Sequence, residues 1–192
     1  MRFYRLDLVT PPAALPVTEA EFIDHARLNG ITVQRQPELI ARELAAATDR
    51  GQEFCRRSFL EQTLSARFIP GGVYSEVIQL PRGRVASITS ITAAGGIAID
   101  PAGYSFDAAS GVVIFGAESV PSSAVVVQWV SGFGPDAASV PAALREGLLE
   151  YATVIYGDRR GSREIKATSD TGSPVPPGVE DLWAPFRLEL AF

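Results

Sequence analysis

The amino-acid sequence predicts an α+β fold: a small helical bundle with an inserted antiparallel β domain and a C-terminal tail helix. Apolar residues recur at helical spacing in the first third of the chain and again near its end. The middle consists of short β-branched or aromatic runs separated by Gly- and Pro-containing turns. We expect N-terminal helices in 1–61, the β domain in 62–135, a third core helix in 136–160, a flexible spacer in 161–177 and a C-terminal docking segment in 178–192.

Length and composition indicate a folded protein with much buried or partner-covered surface. The chain has 192 residues, which suffice for one domain with a real core and an appendage. Hydrophobic residues make up 46% and charged residues 20%. The formal net charge of −5 lacks the basic character of a protein that grips nucleic-acid phosphates.

The first helix has a clear start signal. After an extended stretch from 1 to 17, Thr18 and Glu21 stand at the spacing of a capping box, in which each side chain bonds the other's backbone N–H. Asn29 and Gly30 then predict the end of the helix.

A second, longer helix begins at Pro37. Its apolar stripe comprises Ile40, Leu44, Ala47, Gly51, Phe54, Cys55, Ser58 and Phe59. Gly51 indicates either close approach by another helix or a simple irregularity, because glycine costs about 1 kcal/mol against alanine there. Cys55 is the only cysteine, so an internal disulfide is excluded and a buried structural thiol is expected.

Six β runs follow between residues 62 and 135. They are Leu64–Ile69, Val77–Leu80, Val85–Thr92, Tyr104–Asp107, Val112–Phe115 and Val125–Ser131. Few charged residues occur here, although a lone sheet in water usually needs charges to protect its edge strands. The pattern therefore suggests that other copies cover the edges.

The third helix begins at Val140-Pro141 and is expected to end at Gly157. Polar residues rich in Gly, Ser, Thr and Pro then predict a mobile linker. The last stretch, 178–192, reads GVEDLWAPFRLELAF and is unusually apolar for a chain terminus. It needs a groove on its own domain or on another chain, and we favour a neighbouring chain.

Catalytic chemistry is not indicated. His25 is the only histidine, so neither a nucleophile–base pair nor a His/Cys metal cluster is expected, and we expect no cofactor. Glu146 and Glu150 stand one helical turn apart and would serve a carboxylate hydrolase, although such a pair is usually a solvated face. No apolar run reaches the 18 or so residues of a membrane span, and no signal pattern opens the chain, which favours a cytoplasmic origin.

Seven stretches occur in an order that is typical of one protein family. They are 16–21 (PVTEAE), 45–63 (AAATDRGQEFCRRSFLEQT), 80–91 (LP followed by VASITSI), Tyr104 with 111–113 (GVV), 127–134 (VQWVSGFG), 140–159 (VP to YGDR) and 182–187 (LWAPFR). Together they resemble the head–tail connector, or adaptor, proteins of long-tailed bacteriophages and of gene transfer agents. One departure is the sequence RRSF at 56–59, where that family commonly has Thr-Gly-Arg.

The resemblance implies a structural protein without enzymatic activity, an adaptor that forms a homo-oligomeric ring of twelve copies. Such a ring lies between the portal protein and a downstream tail-side connector, either a stopper or a terminator. DNA passes through its channel without sequence-specific binding. The expected location is the head–tail junction of a virion or phage-like particle assembled in the bacterial cytoplasm, with no membrane association.

The predicted partner interface, to the portal or to an adjacent copy, lies in the docking segment. It comprises Leu182, Trp183, Pro185, Phe186, Arg187, Leu190 and Phe192. An alternative function is a small-ligand or glycan binding module in the β domain. That function needs aromatic side chains on one face, whereas Trp129 and Phe115 lie among apolar strand residues and are expected in the core.

Overall fold

The computed structural model describes residues 2–28, 37–69, 76–159 and 175–188. The chain divides into two compact units, which we call the β unit and the helical unit. The β unit comprises Met1–Ala13, Arg56–Pro135 and Leu188–Phe192, and the helical unit comprises Ala14–Cys55 and Asp136–Arg187. The boundaries of the five segments expected from the sequence stay a prediction.

Within the described residues, the β unit contains eight strands. They are β1 (Arg2–Thr10), β2 (Gln62–Ile69), β3 (Val77–Gln79), β4 (Val85–Ala93), β5 (Ile97–Ala98), β6 (Tyr104–Asp107), β7 (Val112–Phe115) and β8 (Val125–Ser131). Five of them form an antiparallel sheet in the order β1-β2-β8-β4-β5, and three form a second antiparallel sheet in the order β3-β7-β6. β1 and β5 are therefore the two edge strands of the larger sheet.

Alternation along the strands directs one set of side chains into a shared core. In β2 and β8 every second residue is buried, as the period of two in a strand requires. Trp129, Phe68, Leu80 and Val113 pack in one cluster that receives residues from both sheets. Trp129 and Phe115 are both buried, so their expected core positions are confirmed.

Strand β1 arises from a stretch that the sequence predicted only as extended. Leu6 pairs with Ala66 and Leu8 with Leu64, which makes β1 a full partner of β2. The register shifts twice along this pairing, and such bulges interrupt the regular apolar alternation by which a strand is recognised. The short strand β5 was also not predicted from the sequence.

The helical unit contains four described helices: α1 (Glu19–His25), α2 (Pro37–Cys55), α3 (Ala142–Arg159) and α4 (Pro177–Trp183). The capping box of α1 is confirmed, because the Glu21 N–H donates to Thr18 Oγ1 at 3.2 Å and the Thr18 N–H donates to the Glu21 carboxylate at 2.8 Å. The stop expected at residues 29–30 lies outside the described residues. Among the helices that are described, none has both the length and the hydropathy that crossing a membrane requires.

The core of the helical unit lies between α1, α2 and α3. Phe22 contacts Tyr156 edge to face, with ring centroids 5.7 Å apart. Arg145 ties α3 to the start of α1, since its Nε donates to the Pro16 carbonyl at 3.1 Å and its guanidinium pairs with Glu21. α3 continues to Arg159, so the end expected at Gly157 is wrong; a glycine in the last turn of a helix weakens it by only about 1 kcal/mol.

The expected α+β fold class is confirmed by four helices and two antiparallel sheets within the described residues. The expected spacer at 161–177 lies largely outside those residues, so its flexibility stays a prediction.

Candidate functional site

The terminal helix α4 is short and starts without a side-chain cap. Pro177 occupies its first turn, where the missing N–H costs nothing because that group would have no partner in the helix. A 3₁₀ turn, Ala184–Phe186, follows directly and contains Pro185. Val175, Val179 and Trp183 are buried, so these apolar side chains of the segment pack within their own chain.

Trp183 occupies a socket formed by α2 and α3. Its side chain is 0% exposed, and its indole N–H donates to the Leu144 carbonyl at 3.3 Å. The rings of Phe54 and Tyr151 contact it, with centroids 5.9 and 5.8 Å away. The Cys55 thiol donates to the Trp183 carbonyl at 3.7 Å, which confirms the buried thiol expected from the sequence. For this tryptophan, the groove is on the chain itself.

The other predicted interface residues are more open. Leu182 and Phe186 are half-buried, whereas Pro185 and Arg187 are exposed. The Arg187 guanidinium lies over the Phe54 ring, 5.4 Å from its centroid. Leu190 and Phe192 lie outside the described residues. The interface assignment as a whole stays a prediction.

Leu188 belongs to the β unit, in contrast to the residues just before it. It is buried, and a Cβ placed on Gly83 would lie 2.9 Å from one of its methyl carbons. The apolar residues of the docking segment are therefore divided between the two units.

Gly147 is the residue of this site that sequence reasoning missed. A Cβ at this position of α3 would lie 2.8 Å from Cδ1 and 3.0 Å from Cε2 of Trp183. The absence of a side chain is what lets the indole reach the Leu144 carbonyl. The signal in the sequence is a glycine inside an otherwise regular apolar helix, as at Gly51.

Large exposed hydrophobic side chains occur in the described residues of the β unit alone. They are Leu8, Val9, Ile69, Val77, Ile97, Phe106, Ile114 and Val126. They are spread over seven of the eight described strands, so both sheets expose apolar surface that another chain could cover. Leu8 and Val9 lie on edge strand β1 and Ile97 lies on edge strand β5; that other copies cover these edges stays a prediction.

Acidic side chains flank the β6–β7 hairpin: Asp100 and Glu118 lie on turns at one end of it, and Asp107 begins the turn at its other end. From Val85 to Pro135 the chain contains Asp100, Asp107 and Glu118 and no basic residue. The Ser110 hydroxyl and the N–H groups of Ala109 and Ser110 donate to Asp107 and hold the pKa of its carboxyl below the usual range. This carboxylate is therefore charged across the physiological range.

Burial and a nearby charge also affect the pKa of Tyr104, whose phenol lies near Asp100. Desolvation, followed by the negative charge of Asp100, raises the pKa of Tyr104 above its usual value. The Tyr104 ring lies edge to face against Phe115, with centroids 6.3 Å apart. Tyr104 is therefore a neutral packing residue, and neither its burial nor its partners indicate an acid–base role.

α1 and α3 bring His25 near Glu146 and Glu150, the carboxylate pair that would serve a hydrolase. His25 Nδ1 lies 3.9 Å from Glu146, and Nε2 lies 3.9 Å from Glu150. The ligand atoms of the three lie within 4.8 Å of one another, so the group has donors suited to a divalent cation, which residue counts had not suggested. Both carboxylates are about half exposed, and exposed groups of this kind are common without a metal.

An open pocket of about 420 Å³ lies in the β unit. Glu61, Arg84, Phe133 and Ala109 are among its lining residues. The Arg84 guanidinium lies over the Phe133 ring, 4.7 Å from its centroid. An aromatic face, a cation and a carboxylate are thus available to a small polar ligand.

No protein-family model and no curated protein matches the sequence. Solved structures do match. A chain in the neck of an empty gene transfer agent particle, computed with C6 symmetry, is 20% identical with a TM-score of 0.74. A chain in the neck of a native particle, computed with C12 symmetry, is 20% identical with a TM-score of 0.71, and one from the virion of a native particle is 19% identical with a TM-score of 0.72.

Each match covers 98% of both chains, so the likeness includes the helical and the β segments alike. At this level of identity the comparison establishes the fold. The resemblance to head–tail connectors is therefore confirmed at that level: this chain has the fold of proteins found in the neck of gene transfer agent particles.

Proposed function

We propose that this protein is a structural head–tail adaptor of a phage-like particle, located at the head–tail junction and assembled in the bacterial cytoplasm. The observation that carries the proposal is a fold shared over 98% of the chain with neck proteins of gene transfer agents. We assign it no catalytic step; His25, Glu146 and Glu150 converge, but their carboxylates are about half exposed, and such surface groups are common without a function of this kind.

The functional form that we propose is a closed ring, twelve copies around a DNA channel. The related neck chains belong to assemblies computed with six-fold and twelve-fold symmetry, which supports a cyclic arrangement. The exposed apolar side chains of the β unit give each copy surface that a neighbour would remove from water. A net charge of −5 per chain suits a channel through which DNA slides, since like charge opposes phosphate binding.

The docking segment is proposed to contact the portal protein or an adjacent adaptor copy, with a tail-side connector below the ring. Leu182, Pro185, Phe186 and Arg187 keep exposed surface for this contact. Trp183 would act by fixing the helix that presents them, because its own side chain is already buried. Leu190 and Phe192 complete the proposed contact. Repetition around a ring strengthens each weak docking contact through effective concentration.

The test is assembly of the purified chain, alone and with its portal protein. We expect sedimentation velocity and negative-stain electron microscopy to reveal closed rings, and the rings to co-sediment with the portal. A matched pair of variants, Arg187→Glu and Arg84→Glu, separates the sites: both arginines are exposed and lie over an aromatic ring, and only the first should weaken portal binding. The proposal is contradicted if the chain stays monomeric at every concentration and does not bind the portal protein.

The pocket beside Phe133 favours a second candidate, recognition of a small polar ligand or glycan by the β unit. Its aromatic face and adjacent guanidinium are groups that such ligands use. Titration with a panel of mono- and disaccharides, followed by amide NMR shifts, tests it. Shifts that cluster around Arg84 and disappear in Phe133→Ala would support this candidate, and an unchanged spectrum would remove it.

A further inference from the structure

The two edges of the five-stranded sheet differ in charge, although both expose apolar side chains. The edge at β1 and β2, here called the basic edge, carries Arg5, Leu8, Val9, Arg67 and Ile69, all exposed. Leu8 is 55% exposed although its partner across the pair, Leu64, is buried. Apolar side chains and arginines thus lie together on one margin of the sheet.

The two strands of the basic edge carry more arginines than carboxylates. β1 and β2 together hold three arginines and one aspartate, Asp7. Arg5 and Arg67 stand directly opposite each other in the register, an arrangement that destabilises a sheet when both side chains carry the same charge. Asp7 pairs with Arg5 at 2.7 Å, which leaves a positive excess beside exposed apolar surface.

The opposite edge, here called the acidic edge, comprises Ile97, Asp100 and Glu118. Ile97 lies on β5 and is 68% exposed. Asp100 and Glu118 are on adjoining turns, which the hydrogen bond from the Gly116 N–H to the Gly103 carbonyl joins at 2.9 Å. The acidic edge therefore combines an exposed isoleucine with two exposed carboxylates. The sequence from 85 to 135, which contains all three residues, has no lysine or arginine.

We propose that the acidic edge of one copy packs against the basic edge of the next copy, head to tail; the inference rests on the proposed ring. Two different surfaces that complement each other give a heterologous contact, and repetition of such a contact closes into a ring when the rotation allows it. A two-fold contact would instead bring arginine to arginine or carboxylate to carboxylate. The occupant of each edge is therefore a second copy in the same orientation.

Side chains carry this contact, because the strands are poorly suited to continue one sheet across copies. β5 has two residues, and the β1–β2 pairing shifts register between Phe3 and Arg5 and between Leu8 and Thr10. Short edges and bulges prevent strand addition. The proposed contact therefore consists of apolar packing near Leu8 and Ile97, bordered by arginine–carboxylate pairs. Salt should weaken the contact by screening those pairs.

Thiol cross-linking tests the geometry with the full-length chain. The single variants Leu8→Cys and Ile97→Cys, treated with a short thiol-reactive linker, should give little dimer alone, and their mixture should give a cross-linked heterodimer. The double variant should give a ladder of linked copies. Ile114→Cys replaces Ile97→Cys in the control, because Ile114 is 49% exposed on the other sheet. The native Cys55 is buried and serves as the internal background.

Charge reversal tests the chemistry. Arg67→Glu and Glu118→Arg should each weaken self-association at least tenfold, and an equimolar mixture of the two, or both changes in one chain, should restore most of it. Circular dichroism confirms folding of each variant. If the wild-type chain does not self-associate, the proposed ring fails. If it forms rings that neither reversal weakens, or if Leu8→Cys cross-links to itself as well as to Ile97→Cys, the ring stands and the head-to-tail edge contact is wrong.

Discussion

The helical unit and the β unit differ in how completely each one covers its own apolar surface. In the described residues, every large hydrophobic side chain that is strongly exposed lies in the β unit. In the helical unit even Trp183, on the segment that looked most in need of a partner, is 0% exposed. The comparison teaches that the exposed apolar surface open to a partner lies on the sheets, whereas the aromatic residue of the terminal helix is already buried.

The physical reason lies in the geometry of the elements. A helix can bury an aromatic residue wherever neighbouring helices leave a gap. Gly147 leaves such a gap on α3, and the Trp183 indole fills it. A sheet always has two edge strands, and the side chains of those strands have a packing partner on one side only. Leu8 and Ile97 are exposed and each lies on an edge strand, whereas Ile114 and Val126 are exposed on inner strands.

The largest expected effect is a loss of stability in the helical unit when its buried tryptophan is removed. Trp183→Ala should lower the free energy of unfolding by about 3–5 kcal/mol, the usual range for removing a buried Phe or Trp. The lost contacts are those with Phe54, Tyr151 and the Leu144 carbonyl. Urea unfolding followed by circular dichroism measures it. Pro185→Ala is the control, since that residue is exposed and should cost little. A loss below about 1 kcal/mol for Trp183→Ala would mean that the socket is not formed in solution.

Gly147→Ala sharpens the same contact from the other side. Overpacking against the Trp183 indole should cost about 1–3 kcal/mol, offset by about 1 kcal/mol because alanine is the better helix former. The smaller ring of Trp183→Phe gives room for a side chain at position 147, so Gly147→Ala should cost less stability in that background. A double-mutant cycle measures this coupling between the two positions. Gly157→Ala is the matched control: it lies on the same helix with no neighbouring atom near its Cβ position, and it should be neutral or stabilising.

Thr18→Ala tests how far local capping contributes to the self-contained unit. Loss of an N-cap side chain typically costs about 1 kcal/mol, measured by urea unfolding. The Ser139→Ala change, in a turn of the same unit capped by Asp136, offers a comparison outside α1. Equal stability of wild type and Thr18→Ala would show that packing of Phe22 and the contacts of Arg145 hold α1 without the cap.

The pH dependence of that cap has a defined sign. Hydrogen bonds from Thr18, with a further contribution from the Arg145 charge, hold the pKa of Glu21 below its ordinary value of 4.5. A lowered pKa in the folded state stabilises the fold above the unfolded value, and this contribution is lost as pH falls through the folded value. Wild type should therefore lose stability below about pH 4.5 more steeply than Glu21→Gln. Parallel curves for the two proteins would contradict this reading.

The smallest expected effect on stability concerns the exposed side of the β unit. Leu8→Thr and Ile97→Thr should each change the free energy of unfolding by no more than about 0.5 kcal/mol, because both side chains are more than half exposed. The same variants should reduce self-association clearly, and sedimentation equilibrium compares them with Ile114→Thr. A large loss of stability without any loss of association would reverse the comparison between the two units.

Several features of the fold could be predicted because their causes are local. The capping box at Thr18 and Glu21 requires only a spacing of three residues. The alternation in β2 and β8 and the apolar stripe of α2 follow from the periods of strand and helix. β1 escaped recognition because its bulges interrupt that alternation, and β5 because two residues carry no pattern.

The sequence by itself determined the α+β class, the helix starts, most strands, the lone buried thiol and the resemblance to adaptor proteins, since each depends on composition or on neighbours within a few residues. Tertiary structure alone decided that Gly147 makes room for Trp183, that Leu188 packs at Gly83, and that an arginine-bearing edge and a carboxylate-bearing edge lie at opposite ends of one sheet. Those facts join residues far apart in the chain. Periodicity tells which face of an element is apolar, and only packing tells which other element, or which copy, that face meets.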